Sequence, residues 1–375
     1  MRVGLNATCF NDRPSGAKQR FLGIYGALFR RCRDVEFVIY EPADCRVGAW
    51  FAGEPNVRAR RTPIPSSGRL RRILRGAAWW RRALREDRLD LFENFHLPMV
   101  KAPACPTVLT MHDVRDGLPG SPPVKRTLYR AILRRALRQS AHVITVSSRM
   151  AEELRAYDPA CRVTTVYNGL DPEPFRSVTP ADAEATRVRL GLPRGFLLTV
   201  GHLEPRKNHV RLVEAVALLR DRGMPVPLVI VGNDAGEGAA VAREIARLGL
   251  ADLVHIRTGV GDTELAHLYA LCAAVVFPSR YEGFGIPLLE AMAARRPLIL
   301  SDIPVFRELT EGQGVYVPAD DGAAMADGIA ATLASPGRQR GLVAYGDRRL
   351  ASFAFPALAA EVEQVYRATL AGPAA

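Results

Sequence analysis

Several features that would settle the function of a 375-residue chain outright are absent here, and each absence removes a class. The apolar run Leu268–Pro278 is eleven residues, against the about 20 that a bilayer span requires, so no membrane crossing is expected. Cysteines are few and scattered (Cys9, Cys32, Cys45, Cys105, Cys161, Cys272), without a C-x-x-C pair or metal-ligand spacing. Buried free thiols in a reducing cytoplasm are the expected state. The N-terminus enters a strand-like run, Arg2-Val3-Gly4-Leu5, with no signal-peptide core, which also argues for a cytoplasmic location. No G-x-G-x-x-G follows a strand and opens a helix, which argues against a nicotinamide or flavin dehydrogenase. A phosphate-binding G-x-x-x-x-G-K-[ST] is missing too, as are the G-x-S-x-G elbow of a hydrolase and a D-x-D metal triplet. No helix-turn-helix, RRM or zinc signature is found, so no nucleic-acid partner is expected despite the basic charge.

What is present is ordinary in amount and uneven in place. Apolar residues make up 48% and charged residues 24%, as in globular proteins, and the length suits two α/β domains. The net charge of +12 lies wholly in the first half: residues 1–180 hold 31 Lys/Arg against 17 Asp/Glu, and residues 181–375 hold 20 against 22. An anionic partner for the first half follows. Short apolar runs alternate with helical patterns on both sides of Asp171-Pro172-Glu173-Pro174, a stretch that cannot continue a helix. The alternation predicts two parallel sheets with covering helices, over 1–172 and 173–375, with a terminal helix at about 355–370.

Ligands of doubly wound sheets sit at the carboxyl ends of the strands, so the loops there decide the chemistry. The most informative segment runs from Phe277 to Met292, Phe-Pro-Ser-Arg-Tyr-Glu-Gly-Phe-Gly-Ile-Pro-Leu-Leu-Glu-Ala-Met. A buried strand ends at Pro278, and a helix starts at about Ile286–Pro287, where proline suits the first turn. Gly283 and Gly285 let backbone amides approach a ligand, and the helix N-terminus adds its positive dipole end, a combination suited to a diphosphate. Glu282 and Glu290 would repel phosphate unless they bound something else, and sugar or ribose hydroxyls are the natural partners.

This segment resembles the E-x7-E signature of the retaining glycosyltransferase family 4, whose members have the GT-B fold. Four more stretches resemble the family in the same order: Thr110-Met111-His112-Asp113; Val166 to Asp171 (V-Y-N-G-L-D); Val200 to Asn208 (V-G-H-L-E-P-R-K-N); and Ser301 to Glu308 (S-D-I-P-V-F-R-E). The resemblance implies two Rossmann-like domains facing across a cleft, an N-terminal acceptor-binding and a C-terminal nucleotide-sugar-binding domain, with the last helix crossing back to the first. It also implies a retaining hexosyltransferase, independent of metal and of any cofactor. Arg206 and Lys207 would neutralise the donor diphosphate, and amides of Gly283, Phe284, Gly285 and Ile286 would hold phosphate oxygens. Glu290 would accept from the ribose, Glu282 would orient the transferred sugar, and His112 with Asp113 would face that sugar. The loop opening a helix at Gly16 and Lys18 would sit near acceptor or phosphate. Two departures stand out: His202 fills a slot where the family often has arginine, and Arg295-Arg296 replaces a small residue and glycine before Pro297, which weakens the expected tight turn.

The donor suggested by the S-D-I-P-V-F-R-E run is GDP-mannose or a related sugar, and the acceptor a lipid-linked saccharide of a surface polysaccharide. A nucleotide-sugar 2-epimerase on the same fold is the alternative enzyme, and a basic nucleic-acid-binding protein the alternative outside enzymes. Residues 68–88 read as a basic amphipathic helix. Leu70, Ile73, Leu74, Ala77, Trp80 and Leu84 share one side, while Arg71, Arg72, Arg75 and Arg82 lie opposite with Trp79 among them. That face suits an anionic membrane surface and a peripheral position on its inner leaflet.

Overall fold

The computed structural model of the protein describes residues 1–372, apart from positions 14, 103, 115, 116 and 118–121 and the side chains at 69–75, 77 and 78. Two compact units emerge: Met1–Gly169 with Phe353–Ala375, and Leu170–Ser352. The break expected at 172/173 thus falls at 169/170. Arg20 explains why the chain stays with the first unit so long. Its buried guanidinium donates to the carbonyls of Val166 (2.8 Å) and Tyr167 (2.6 Å) and to Asn168 Oδ1 (3.2 Å).

The first unit is a parallel seven-stranded sheet: β1 (Arg2–Asn6), β2 (Glu36–Glu41), β3 (Val57–Arg61), β4 (Leu91–Asn94), β5 (Thr107–Met111), β6 (His142–Thr145) and β7 (Val163–Thr165), in the order β3-β2-β1-β4-β5-β6-β7. Its helices are α1 (Gly16–Arg20), which runs through a π-helical turn (Phe21–Tyr25) into α2 (Gly26–Arg31), then α3 (Arg69–Glu86), α4 (Pro123–Gln139) and α5 (Ser148–Tyr157). Strand β3, Val-Arg-Ala-Arg-Arg, sits on no apolar run of the kind that announces a strand. It lies at a sheet edge, where a strand needs no apolar run and charged side chains discourage further pairing.

The second unit opens with α6 (Glu173–Arg176) and α7 (Pro180–Arg189). Six parallel strands follow: β8 (Leu197–Val200), β9 (Leu228–Val231), β10 (Val254–Arg257), β11 (Ala274–Phe277), β12 (Leu298–Ser301) and β13 (Val315–Val317), ordered β10-β9-β8-β11-β12-β13. The central strands read as unbroken apolar runs because both faces are covered. Among the covering helices are α8 (His209–Asp221), α9 (Gly238–Arg247), α10 (Asp262–Leu271), α11 (Ile286–Ala293), α12 (Pro304–Leu309), α13 (Gly322–Leu333) and α14 (Pro336–Arg349). The last helix, α15 (Phe355–Leu370), belongs to the first unit, as the expected crossing-back requires. Leu358, Val362 and Tyr366 are buried in that core. Two glycines make room for Phe355, since a Cβ at Gly23 or Gly169 would come within 2.1 or 2.5 Å of its ring.

Two expectations need correction. Trp79 is not a free member of an arginine face. Its ring is half-buried, edge-on to Tyr40 (6.0 Å) and Trp80 (5.0 Å), with the Arg60 guanidinium 5.5 Å above it. Trp80 and Leu84 are buried as expected, and Arg82 is exposed beside Glu86. The side chains assigned to Leu70, Arg71, Arg72, Ile73, Leu74, Arg75 and Ala77 lie outside the described ones. The second correction is the turn before β12, which forms without glycine. Arg295 adopts the left-handed conformation (φ 55°), and its guanidinium pairs with Asp347 at 2.9 Å. Among the described residues, no helix is long and apolar enough to cross a membrane.

Candidate functional site

In each sheet the strand order reverses once between neighbours reached by opposite routes, β1/β4 in the first unit and β8/β11 in the second. Such a switch point opens a crevice beyond the carboxyl ends of the strands. The loop after β8 carries Arg206 and Lys207, and the loop after β11 carries Glu282, so sequence-distant residues meet there. Lys207 Nζ lies 2.7 Å from Glu282 Oε1, and Arg206 Nη1 lies 2.6 Å from Glu282 Oε2. Ser279 Oγ donates to Glu282 Oε1 at 2.7 Å. Arg206 also pairs with Glu204, and its Nη1 donates to the Tyr281 carbonyl (3.2 Å).

These contacts settle the electrostatics. Burial pushes the Glu282 carboxyl up, but Lys207 and Arg206 outweigh it and hold the group below the ordinary carboxylate range. Burial disfavours charge on Arg206 as well, and Glu282 with Glu204 more than compensate. Arg206 and Lys207 are thus balanced by Glu282 and Glu204 in a largely buried set of ion pairs next to the helix N-terminus at Gly285. Glu282 spends both oxygens on the cations and Ser279, so its contacts in this structure are those of a counter-ion.

Local backbone details explain the placement. Gly201, just past β8, leaves a corridor for Lys207, whose Cε would lie 2.9 Å from a Cβ there. Asn208 takes the left-handed conformation (φ 59°) and donates to the carbonyls of Pro278 (3.1 Å) and Ala319 (2.6 Å), joining the two loops. Gly285, the N-cap of α11, has φ 114° and faces the Phe306 ring, 3.2 Å from where a Cβ would sit. Phe284 and Ile286 point into the interior, leaving their backbone as the part able to meet a ligand. Glu290 is buried one turn into α11, where Tyr269 Oη donates to its Oε2 at 2.9 Å. His202 is exposed. His209, missed in the sequence, starts α8 beside Lys207. Burial and that cation push its pKa down to about 4, and its buried Nδ1 has no partner among the described residues.

In the first unit, His112 follows β5 directly. Burial, with Arg20 adding to it, lowers its pKa to about 3, so the ring is neutral at physiological pH, and its buried Nε2 has no partner among the described residues. Asp113 is half-buried beside it. Gly16 opens α1 under a Ser15 cap, and Lys18 is engaged: its Nζ donates to the Asp12 carbonyl (3.1 Å) and lies 4.6 Å from the Trp50 ring centroid. A cavity of about 480 Å³ opens there, lined by Asp12, Asp44, Arg46, Trp50 and Arg61 among others. Its acids, arginines and single aromatic are scattered over 50 residues, and no spacing rule would have gathered them.

Comparison with known proteins agrees with this layout. Residues 15–174 match the model of Glycosyltransferase Family 4, and residues 182–349 match Glycosyl transferases group 1. The D-inositol 3-phosphate glycosyltransferase of Frankia alni is 36% identical over 226 residues, covering 57% of this chain and 54% of that protein. The O-antigen chain mannosyltransferase RfbU of Salmonella typhimurium is 28% identical over 215 residues, covering 57% of each. The matched region thus spans about half the length of these curated relatives. In fold, the chain superposes on Anabaena Alr3699/HepE, solved in complex with UDP, with a TM-score of 0.76 at 18% identity, over 98% of this chain and 99% of that one. Two doubly wound units, ion-paired loops at the second switch point and two adjoining family matches lead to one placement: the chain belongs to the family 4 type of glycosyltransferases, with the GT-B fold.

Proposed function

We propose that the protein is a retaining hexosyltransferase that moves a sugar from a nucleotide-sugar to a saccharide acceptor. The observation that carries this reading is the meeting of Arg206, Lys207 and Glu282 beside the N-terminus of α11. In the free protein Glu282 holds both cations in place. A donor diphosphate would find them already oriented and largely desolvated, where they stabilise a departing nucleoside diphosphate most strongly. Glu282, engaged at both oxygens, is suited to hold that constellation and to bias charge near the anomeric carbon, rather than to attack it. Glu290 suits ribose hydroxyls, and the amides after Glu282 suit phosphate oxygens. In the first unit, neutral His112 offers Nε2 to a substrate hydroxyl, and the cavity beside Lys18 and Trp50 offers carboxylates, guanidinia and an aromatic face to an acceptor saccharide.

Mannose is the first sugar to try, because relatives that include RfbU are named mannosyltransferases. A lipid-linked acceptor would place the reaction at an anionic leaflet. Exposed Arg81, Arg82 and Arg85 of α3 support that position, although Trp79 is tied down. Helix α4 supplies the apolar wedge that α3 lacks: Val124 and Leu128, one turn apart, are 82% and 56% exposed beside Lys125, Arg130, Arg134 and Arg135. The test is a thermal-shift screen against GDP-, UDP- and ADP-sugars, followed by an assay for free nucleotide with and without saccharide acceptor. Acceptor-dependent release is expected. Conversion of the donor to its 2-epimer without any acceptor would instead establish the epimerase.

A further inference from the structure

The first unit holds another cavity, which the proposed transfer does not use. It measures about 480 Å³, lies between edge strand β7 and α15, and is lined by His142, Ser148, Thr164, Tyr167, Glu361 and Gln364 among others. The Asp12/Trp50 cavity follows β1 and β2, and five strand spacings separate β2 from β7, roughly 24 Å. The two cavities are therefore distinct sites on one sheet.

The lining is unlike the rest of this unit. Residues 1–180 carry a large basic excess, yet among the described residues no lysine or arginine lines this cavity. His142 does not supply positive charge either. Burial and nearby Arg162 push its pKa down, its Nε2 lies 2.8 Å from Thr164 Oγ1, and its buried Nδ1 has no partner among the described residues. What remains is a set of hydroxyls, an amide, a neutral imidazole, one carboxylate and a tyrosine ring. A phosphate group would meet the carboxylate and, among the described residues, no lining cation. An apolar ligand would leave the polar groups of the lining without partners. A neutral polyol fits: Glu361 and Gln364 sit three residues apart on one face of α15, placed to bind adjacent hydroxyls, and the Tyr167 ring can lie against the apolar face of a pyranose.

We propose that this cavity is a second saccharide-binding site, which holds a neutral glycan apart from the cavity at Asp12 and Trp50. The inference rests on the glycosyltransferase reading for why the protein would meet glycans, and on the cavity itself for the chemistry.

Saturation-transfer NMR with millimolar methyl α-D-mannopyranoside or methyl α-D-glucopyranoside reads the site directly. The wild-type protein should give a glycoside signal that persists under excess UDP and GDP. Glu361→Ala/Gln364→Ala, at exposed positions of α15, should reduce that signal at least about fivefold through loss of two hydrogen-bonding groups. Ala368→Trp, which fills the same cavity from an exposed position, should reduce it as much without removing a polar group. Absence of a wild-type signal, or equal signals in wild type and both variants, would overturn the proposal. Transfer assayed on the same samples separates the two readings. A wild type that binds the glycoside here yet transfers no sugar keeps the second site and loses the enzyme. One that transfers sugar but shows no such binding keeps the enzyme and loses the site.

Discussion

Glu93 in the first unit and Glu282 in the second are both buried near the carboxyl ends of central strands, but their neighbours differ in kind. Glu93 accepts hydrogen bonds from Tyr25 Oη (2.6 Å) and from the hydroxyls of Thr110 and Tyr366. No ion pair to it is formed among the described residues. Burial raises its pKa despite those bonds and despite Arg20 nearby. Glu282 is held by two cations and a serine, and its pKa is lowered. A carboxylate surrounded by hydroxyls from three elements, one of them α15, works as a knot that ties the terminal helix to the sheet. A carboxylate surrounded by cations at a switch point is proposed to keep those cations aligned for an incoming anion. The partners of a buried acid thus separate a structural role from a functional one.

The sharpest way to break this contrast is to remove each acid or its partners in turn. Glu93→Ala leaves three buried hydroxyls without their acceptor, at about 1–3 kcal/mol each, so the first unit should lose about 3–5 kcal/mol of stability. All three tryptophans (Trp50, Trp79, Trp80) lie in that unit, so fluorescence-monitored urea unfolding reports it directly. A loss below about 1 kcal/mol would show that the knot is ornamental. Lys207→Ala should leave that unfolding curve unchanged and cut turnover at least about a hundredfold, by removing a cation aimed at developing charge. Near-normal turnover would return Lys207 to a purely structural pairing with Glu282.

Acid should also tell the two carboxylates apart. A lowered folded-state pKa means that Glu282 stabilises its unit above the ordinary glutamate range, and that this contribution is lost as pH falls through it. A raised pKa gives Glu93 the opposite sign, so protonation relieves it. Between pH 6 and 4, thermal unfolding of Glu282→Gln should therefore be less acid-sensitive than wild type, and that of Glu93→Gln more so. Identical profiles for all three proteins would refute the contrast.

Much of this was legible before any coordinates. Five of the second unit's strands sit on apolar runs long enough to fill a doubly covered sheet, and Gly-Phe-Gly before Ile286-Pro287 announced the α11 terminus. Arg206, Lys207 and Glu282 were readable through family resemblance, yet their mutual contact was not, since 75 residues separate them. Asn208, Ser279 and His209 carry no pattern of their own and act through burial. Strand β3 was hidden by its arginines. Trp79 was misjudged because a helical wheel places it among arginines without showing that Tyr40 and Arg60 reach it from the neighbouring strands.

Smaller effects sharpen the comparison between the basic first unit and the near-neutral second. Replacing Val124 and Leu128 with serine and Arg130, Arg134 and Arg135 with glutamine should weaken sedimentation with anionic vesicles at least about tenfold, at about 1 kcal/mol per basic residue. Nucleotide binding should be unaffected. Wild-type protein that ignores such vesicles at physiological salt would remove the membrane from the proposal. Chelation should have the smallest effect, with activity in EDTA staying within about twofold, because Arg206, Lys207 and a helix N-terminus supply the positive field. Activity lost to EDTA and restored by Mg²⁺ would show that they do not suffice.

The most direct test is calorimetric titration of UDP and GDP into wild type, Lys207→Ala and Tyr366→Phe. If Lys207 is held by Glu282 to receive a diphosphate, the wild type binds one of the two nucleotides, Tyr366→Phe binds it equally well, and Lys207→Ala binds it at least about tenfold more weakly, with unchanged tryptophan-monitored stability. Equal affinity in wild type and Lys207→Ala, or no binding of either nucleotide by the wild type, would contradict the assignment of this site to the donor.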